Sequence, residues 1–151
     1  MSAAEVRPAG TGLTNARAVA VLRAAMTYAE NAGMRVSIVV VDERGFDVVL
    51  ERSDGAAWFT PALARAKART AAAFGARSES MAPIREQRPE VWALIAQEVA
   101  FTPTALAGGV PIVSGGRILG AIGVSGDKGH QDALAADAGA AAVDAGGAAP
   151  S

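Results

Sequence analysis

The chain has 151 residues, of which 51% are hydrophobic and 19% charged, a balance that suits one globular domain and argues against disorder. Its 14 Lys and Arg stand against 15 Asp and Glu, so at a net charge of −1 it has no basic surplus with which to grip nucleic acid. Cysteine is absent, which excludes disulfides, thiolate metal sites and a cysteine nucleophile and agrees with a cytoplasmic protein.

Taken in order, Met1 to Thr11 mixes charge, proline and glycine without the basic start and apolar run of a secretory signal. We expect flexible ends at 1–12 and 146–151 around one domain at 13–145. Thr14 is placed to cap a helix through Asn31 that stops at Gly33. Its apolar stripe is read as Val19, Leu22, Met26 and Ala29, with Arg23, Thr27 and Glu30 opposite. Arg35 to Asp42 is a β-branched run apolar on both faces, the pattern of a central strand covered on both sides. Asp42 to Gly45 turns the chain into Phe46–Arg52, the return strand of a hairpin. Thr60-Pro61 then opens a second helix, with Thr60 as its cap, that runs to Phe74 before Gly75. Ser80 to Ala100 reads as helix broken near Pro89. Short strands are expected at Thr104–Ala107 and Val110–Val113, a further strand at Arg117–Ser125, and an alanine-rich helix from His130 to about Asp144. No repeat is visible, and no stretch approaches the ~18 apolar residues of a membrane span. Hairpin connections in the order α-β-β-α-α-β-β-α predict an α+β sandwich, an antiparallel sheet flanked by helices.

Four groups of residues can carry chemistry. Lys67 falls with Leu63, Thr70 and Phe74 on the apolar side of the second helix, with Arg65 and Arg69 opposite. A lysine there snorkels, lines a cavity, or pairs with a carboxylate, for which Asp42 and Asp54 are candidates. The glycines of Gly120-Ala121-Ile122-Gly123-Val124-Ser125-Gly126 lie inside a strand at a spacing that does not fit a dinucleotide fingerprint. Glycines in strands mark close approach of a ligand or of another backbone, and Gly108-Gly109 reads the same way. The only histidine, His130, lies near Asp127 and Asp132 at the start of the last helix. It suits an axial metal or haem ligand or a general base, or simply an exposed helix residue, and one histidine without cysteine makes no zinc site. Arg52, Asp54 and Trp58 flank the loop entering the second helix, where an arginine can hold a carboxylate group or pair on the surface.

Taken together, Val-Val-Val-Asp-Glu-Arg-Gly at 39–45, Glu-Arg-Ser-Asp-Gly-Ala at 51–56, Ala-Arg-Ala-Lys-Ala-Arg-Thr-Ala at 64–71, Gly-Gly-Val-Pro-Ile at 108–112 and Gly-Ala-Ile-Gly-Val-Ser-Gly at 120–126 resemble, in order, the haem-binding family typified by HbpS and GlcG. The same family supplies the C-terminal domain of PduO proteins, and the resemblance covers about Leu13 to Val143. It implies a profilin-like or PAS-like sandwich and a homo-oligomer. It marks Lys67, Gly108, Gly109, Gly123, Ser125 and Gly126 as motif positions, with Arg52 and Asp54 beside them.

Three functions follow as expectations. The leading one is a small-molecule-binding protein that takes haem or a related tetrapyrrole, with His130 as iron ligand, Lys67 or an arginine on a propionate, and Met26, Met34 or Met81 as further ligands. The second is a cofactor-independent isomerase, lyase or hydrolase of a small oxygenated metabolite. In it Lys67 and Arg52 hold substrate, Asp54 or His130 moves a proton, and the Gly109 and Ser125 amides stabilise an oxyanion. The third is a non-catalytic oligomeric accessory protein.

Overall fold

A computed structural model of the chain describes residues 12–145. The expected flexible ends at 1–12 and 146–151 lie, Gly12 apart, outside the described residues. The elements are α1 (Asn15–Asn31), β1 (Ser37–Asp42), β2 (Asp47–Arg52), α2 (Thr60–Phe74), a 3₁₀ turn (Ser78–Met81), α3 (Ala82–Gln87), α4 (Pro89–Glu98), β3 (Gly109–Ser114), β4 (Arg117–Ser125) and α5 (Gly129–Ala140). The four strands form one sheet in the order β2-β1-β4-β3, and each neighbouring pair is antiparallel. The α+β architecture expected from the sequence is the one found.

Local chemistry accounts for most boundaries. Thr14 accepts a hydrogen bond from the Arg17 amide at 3.2 Å, which satisfies one of the free donors at the start of α1. Asp42 closes the β1–β2 turn by accepting from the Arg44 and Phe46 amides at 2.8 and 3.1 Å. Arg88 leaves helical geometry because the ring of Pro89 crowds the residue before it, and this separates α3 from α4.

The two faces of the sheet are packed differently. One face presents Ile38, Val40, Ile112, Ile122 and Val124 to Leu22, Met26 and Ala25 of α1 and to Ala135 and Ala136 of α5. The other presents Val39, Val41 and Ala121 to Ala64, Ala68 and Ala71 of α2. β1 is buried along nearly its whole length because it is central and covered on both sides.

Some expectations are corrected. Val19 is 40% exposed, and the buried stripe of α1 is Ala18, Val21, Leu22, Ala25, Met26 and Ala29, because small residues let the helix approach the sheet. Thr60 is not a cap. It is buried as the first residue of α2, where its hydroxyl lies 2.7 Å from the Ala57 carbonyl and 2.8 Å from the Ser37 hydroxyl. On α2 the buried line is Ala64, Lys67, Ala68, Thr70 and Ala71, while Leu63 stays at the exposed rim. Thr104–Ala107 forms no strand; its contacts are made with side chains, the Thr104 amide donating to the Thr70 hydroxyl at 3.0 Å. The last helix stops at Ala140, and turns follow it.

Candidate functional site

The antiparallel register brings most of the singled-out residues to one end of the sheet. Ser37, at the start of β1, pairs with Arg52 at the end of β2 and with Ser125 at the end of β4. Gly109, at the start of β3, pairs with Gly123, and the Val124 amide donates to the Gly108 carbonyl at 2.9 Å. The loop carrying Ser53, Asp54 and Trp58 leaves from this end, and so do Gly126 and the entry to α5 with His130. Asp42 lies at the opposite end of β1.

Lys67 is 3% exposed, and its ammonium group donates to Asp132 Oδ2 at 3.1 Å and to the Val124 carbonyl at 2.9 Å. Its partner is therefore neither Asp42 nor Asp54. Asp42 spends its side chain on its own turn, Asp54 is exposed, and Asp132 reaches Lys67 from the first turn of α5. Asp132 is 1% exposed, and its other oxygen accepts from the Asp127 amide at 2.9 Å. Burial lowers the Lys67 pKa and raises that of Asp132, and in each case the partner's charge opposes the shift. The pair joins α2 to α5 across the end of β4. An amine held this way reaches no solvent in this structure.

The strand glycines are explained by backbone approach. A Cβ on Gly123 would run into the Ala64 carbonyl oxygen and come within 2.8 Å of the Ala68 nitrogen. One on Gly109 would run into the Lys67 carbonyl and meet the Ser78 hydroxyl at 2.9 Å. Both are thus seats for α2 on the sheet. Gly108 lies against the Lys67 side chain, whose nitrogen would stand 3.0 Å from a Cβ there, and Gly126 packs on the Arg35 backbone. Ser125 is buried beside them. Ser78, which the sequence did not single out, ties this junction together: its hydroxyl accepts from the Gly109 amide at 2.9 Å and donates to the Leu106 carbonyl at 2.5 Å.

His130 and Asp132 are two residues apart on a helix, and so about 200° apart around its axis. Asp132 points inward and His130 is exposed, with its Nε2 3.1 Å from Gln131. Leu134, one turn further on the same face, is also exposed. The loop at Ala107 lies against the start of this helix, 3.4 Å from where a Cβ on Gly129 would be. Trp58 is 82% exposed and stands edge-on to Phe59, with ring centroids 5.6 Å apart.

Arg52 and Asp54 come together in an open groove of about 480 Å³ that Arg23, Met26, Glu30, Met34, Arg35, Glu51 and Ser53 also line. Arg23 and Glu51 form an ion pair, and the Ser53 hydroxyl donates to the Met26 sulfur at 3.3 Å. Met81, the third methionine named as a further ligand, is buried in the 3₁₀ turn. No cluster of three or more His, Cys, Asp or Glu suited to a metal occurs among the described residues. None of the described helices is long and apolar enough to cross a membrane.

A four-stranded antiparallel sheet between an α1–α5 layer and a single glycine-seated helix defines the class: an α+β sandwich. The chain belongs to the HbpS-like family, whose model, described as "Haem degrading protein HbpS-like", matches residues 13–141. Protein GlcG of Escherichia coli K12 is 36% identical over 113 residues, which cover 75% of this chain and 81% of that protein. A double mutant of HbpS from Streptomyces reticuli superposes with a TM-score of 0.77 at 33% identity, covering 93% of this chain and 92% of that one. The PduOC:heme complex, at 24% identity and a TM-score of 0.79 over 87% of this chain and 95% of that one, shares the fold.

Proposed function

We propose that the protein binds haem or a related tetrapyrrole on the outer face of α5, with His130 as the iron ligand. The observation that carries this reading is the exposed pairing of His130 and Leu134 on one helical face, with the Ala107 loop packed against the helix start. A flat macrocycle needs a ligand atom in reach of solvent and an apolar surface beside it, and these residues fit both needs. The family description and the relatives named for haem support the same reading. Bound haem would supply redox or ligand-binding chemistry at its iron; the chain's own part is to hold and orient the ring. Lys67 takes no propionate in this scheme, because both of its hydrogen bonds are made inside the fold.

The protein further acts as a homo-oligomer in the cytoplasm. Support for assembly comes from α3 and α4, which bury no residue although α4 carries Trp92, Leu94 and Ile95. Support for the compartment is the cysteine-free composition.

The test is a haemin titration followed in the Soret region, wild type beside His130→Ala. A saturating one-to-one shift in the wild type, weakened at least about tenfold in the variant, is the expected result. Equal affinity in both proteins overturns the ligand assignment, and no specific shift in either overturns the tetrapyrrole reading.

A further inference from the structure

The groove between α1, the end of β2 and the Ser53–Gly55 loop shares no residue with the His130 face, and its chemistry points to a different ligand. Its floor is apolar and sulfur-rich, since Met26 and Met34 are both buried beneath it. Its rim carries both signs of charge. Arg23 and Glu51 neutralise each other, which leaves Arg35 and Arg52 as cations and Glu30 and Asp54 as anions. Among the described residues none of these four has an ion-pair partner.

Arg35 is exposed and rests against the Ser53–Gly55 loop. A Cβ on Gly55 would come within 2.7 Å of Arg35 Nη1 and 3.0 Å of its Cδ, so the arginine lies flat along the Ser53–Gly55 loop. Gly55 has φ +82°, a conformation that residues with a side chain resist, and lacking a Cβ it leaves room for the guanidinium. With no carboxylate partner among the described residues, the Arg35 guanidinium keeps its paired N–H donors for a ligand.

A rim with two cations and two anions gives no advantage to a ligand of net charge. It favours a molecule that carries both signs, with an apolar part for the floor. We propose that this groove binds a small zwitterion of the amino-acid type with an apolar, preferably aromatic, side chain. The carboxylate meets Arg35 and Arg52, the ammonium meets Glu30 and Asp54, and the side chain rests on the two thioethers, which make favourable contacts with aromatic rings.

The experiment is a titration of the full chain with L-phenylalanine, followed by the amide and methionine-methyl signals in heteronuclear NMR spectra. 3-Phenylpropionate, which lacks the ammonium, and 2-phenylethylamine, which lacks the carboxylate, are run beside it. The expected result is a saturable shift at Ser53, Asp54, Gly55 and the methyls of Met26 and Met34, with each analogue at least about tenfold weaker, as the loss of a charge-assisted contact requires. Arg35→Gln and Arg52→Gln are each expected to weaken phenylalanine by at least about tenfold while leaving the remaining spectrum and the haemin titration unchanged. Equal binding of all three probes, shifts that do not saturate, or wild-type affinity in both variants overturns the proposal. Because haemin binding is read separately, failure here leaves the His130 reading standing, and the reverse also holds.

Discussion

Ile122 and Gly123 are neighbours on β4, and they show how differently the two faces of the sheet are built. Ile122 points into the layer under α1 and α5, where branched aliphatic chains fill the space between helix and sheet. Gly123 points at α2, where nothing larger than a hydrogen atom fits beneath the Ala64 carbonyl. The first interface depends on side-chain volume and tolerates modest change. The second depends on backbone approach and leaves no slack. The face with no slack also carries most of the buried polar groups, among them Ser37, Thr60, Lys67, Thr70 and Ser78, while Asp132 comes from α5. Both proposed sites, at His130 and in the groove, therefore lie on the rims rather than under α2.

The sharpest way to break this contrast is Gly123→Val set beside Ile122→Val. The glycine change forces α2 away from the sheet and is expected to cost at least about 3 kcal/mol or to abolish folding. The isoleucine change removes one methylene and is expected to cost about 1 kcal/mol. Urea unfolding midpoints compare the two, and similar losses would refute the description of the faces.

Next in size is Lys67→Ala, which leaves the Asp132 carboxylate buried without its ammonium and is expected to cost about 3–5 kcal/mol. In Lys67→Met/Asp132→Leu neither charge is stranded, and most of that loss should return. A double variant as unstable as the single one would show that the pair contributes more than the mutual cancellation of two buried charges.

The same pair makes stability depend on pH in a defined direction. Burial holds Lys67 below its ordinary value, so between the lowered value and 10.5 the unfolded chain binds a proton that the folded one has released. Stability due to this lysine then rises with pH across that window. Asp132 is raised, so from 3.8 up to its folded value the folded chain binds the extra proton, and its contribution falls as pH rises. Chemical denaturation at a series of pH values should show both slopes in the wild type and neither in the double variant.

The smallest effect on stability belongs to the α3–α4 arm. Leu94 is 57% exposed, so Leu94→Glu is expected to change the unfolding free energy of the isolated protomer by no more than about 0.5 kcal/mol. In sedimentation the same change is expected to shift the protein from oligomer to monomer. A variant that stays assembled would place the interface elsewhere, with the exposed Trp58–Phe59 pair the next surface to alter.

Much of this was legible from residues alone. The antiparallel β1–β2 and β3–β4 pairs follow from the tight turns at Asp42–Gly45 and Ser114–Gly116, because short hairpins permit no other pairing. Lys67 stood out because a charge among apolar helix positions needs a partner. The identity of that partner was hidden: Asp132 lies 65 residues away and meets Lys67 only because α5 returns across the end of β4. The glycines were recognisable as points of close approach, but whether a ligand or a helix made the approach depended on where α2 crossed the sheet. Thr60 looked like a cap because a polar residue before proline usually is one, until the Ser37 hydroxyl drew it into the interior.

The sequence by itself therefore determined the type of most elements, hairpin pairing and family, since periodicity, turn chemistry and motif order are local properties of the chain. Tertiary structure alone decided which carboxylate meets Lys67, that Gly109 and Gly123 seat a helix, and that Arg35 lies along Gly55 at the rim of the groove. Each of these depends on the distance between residues far apart in the chain. That distance is set by how closely whole layers pack, a property that no single segment carries.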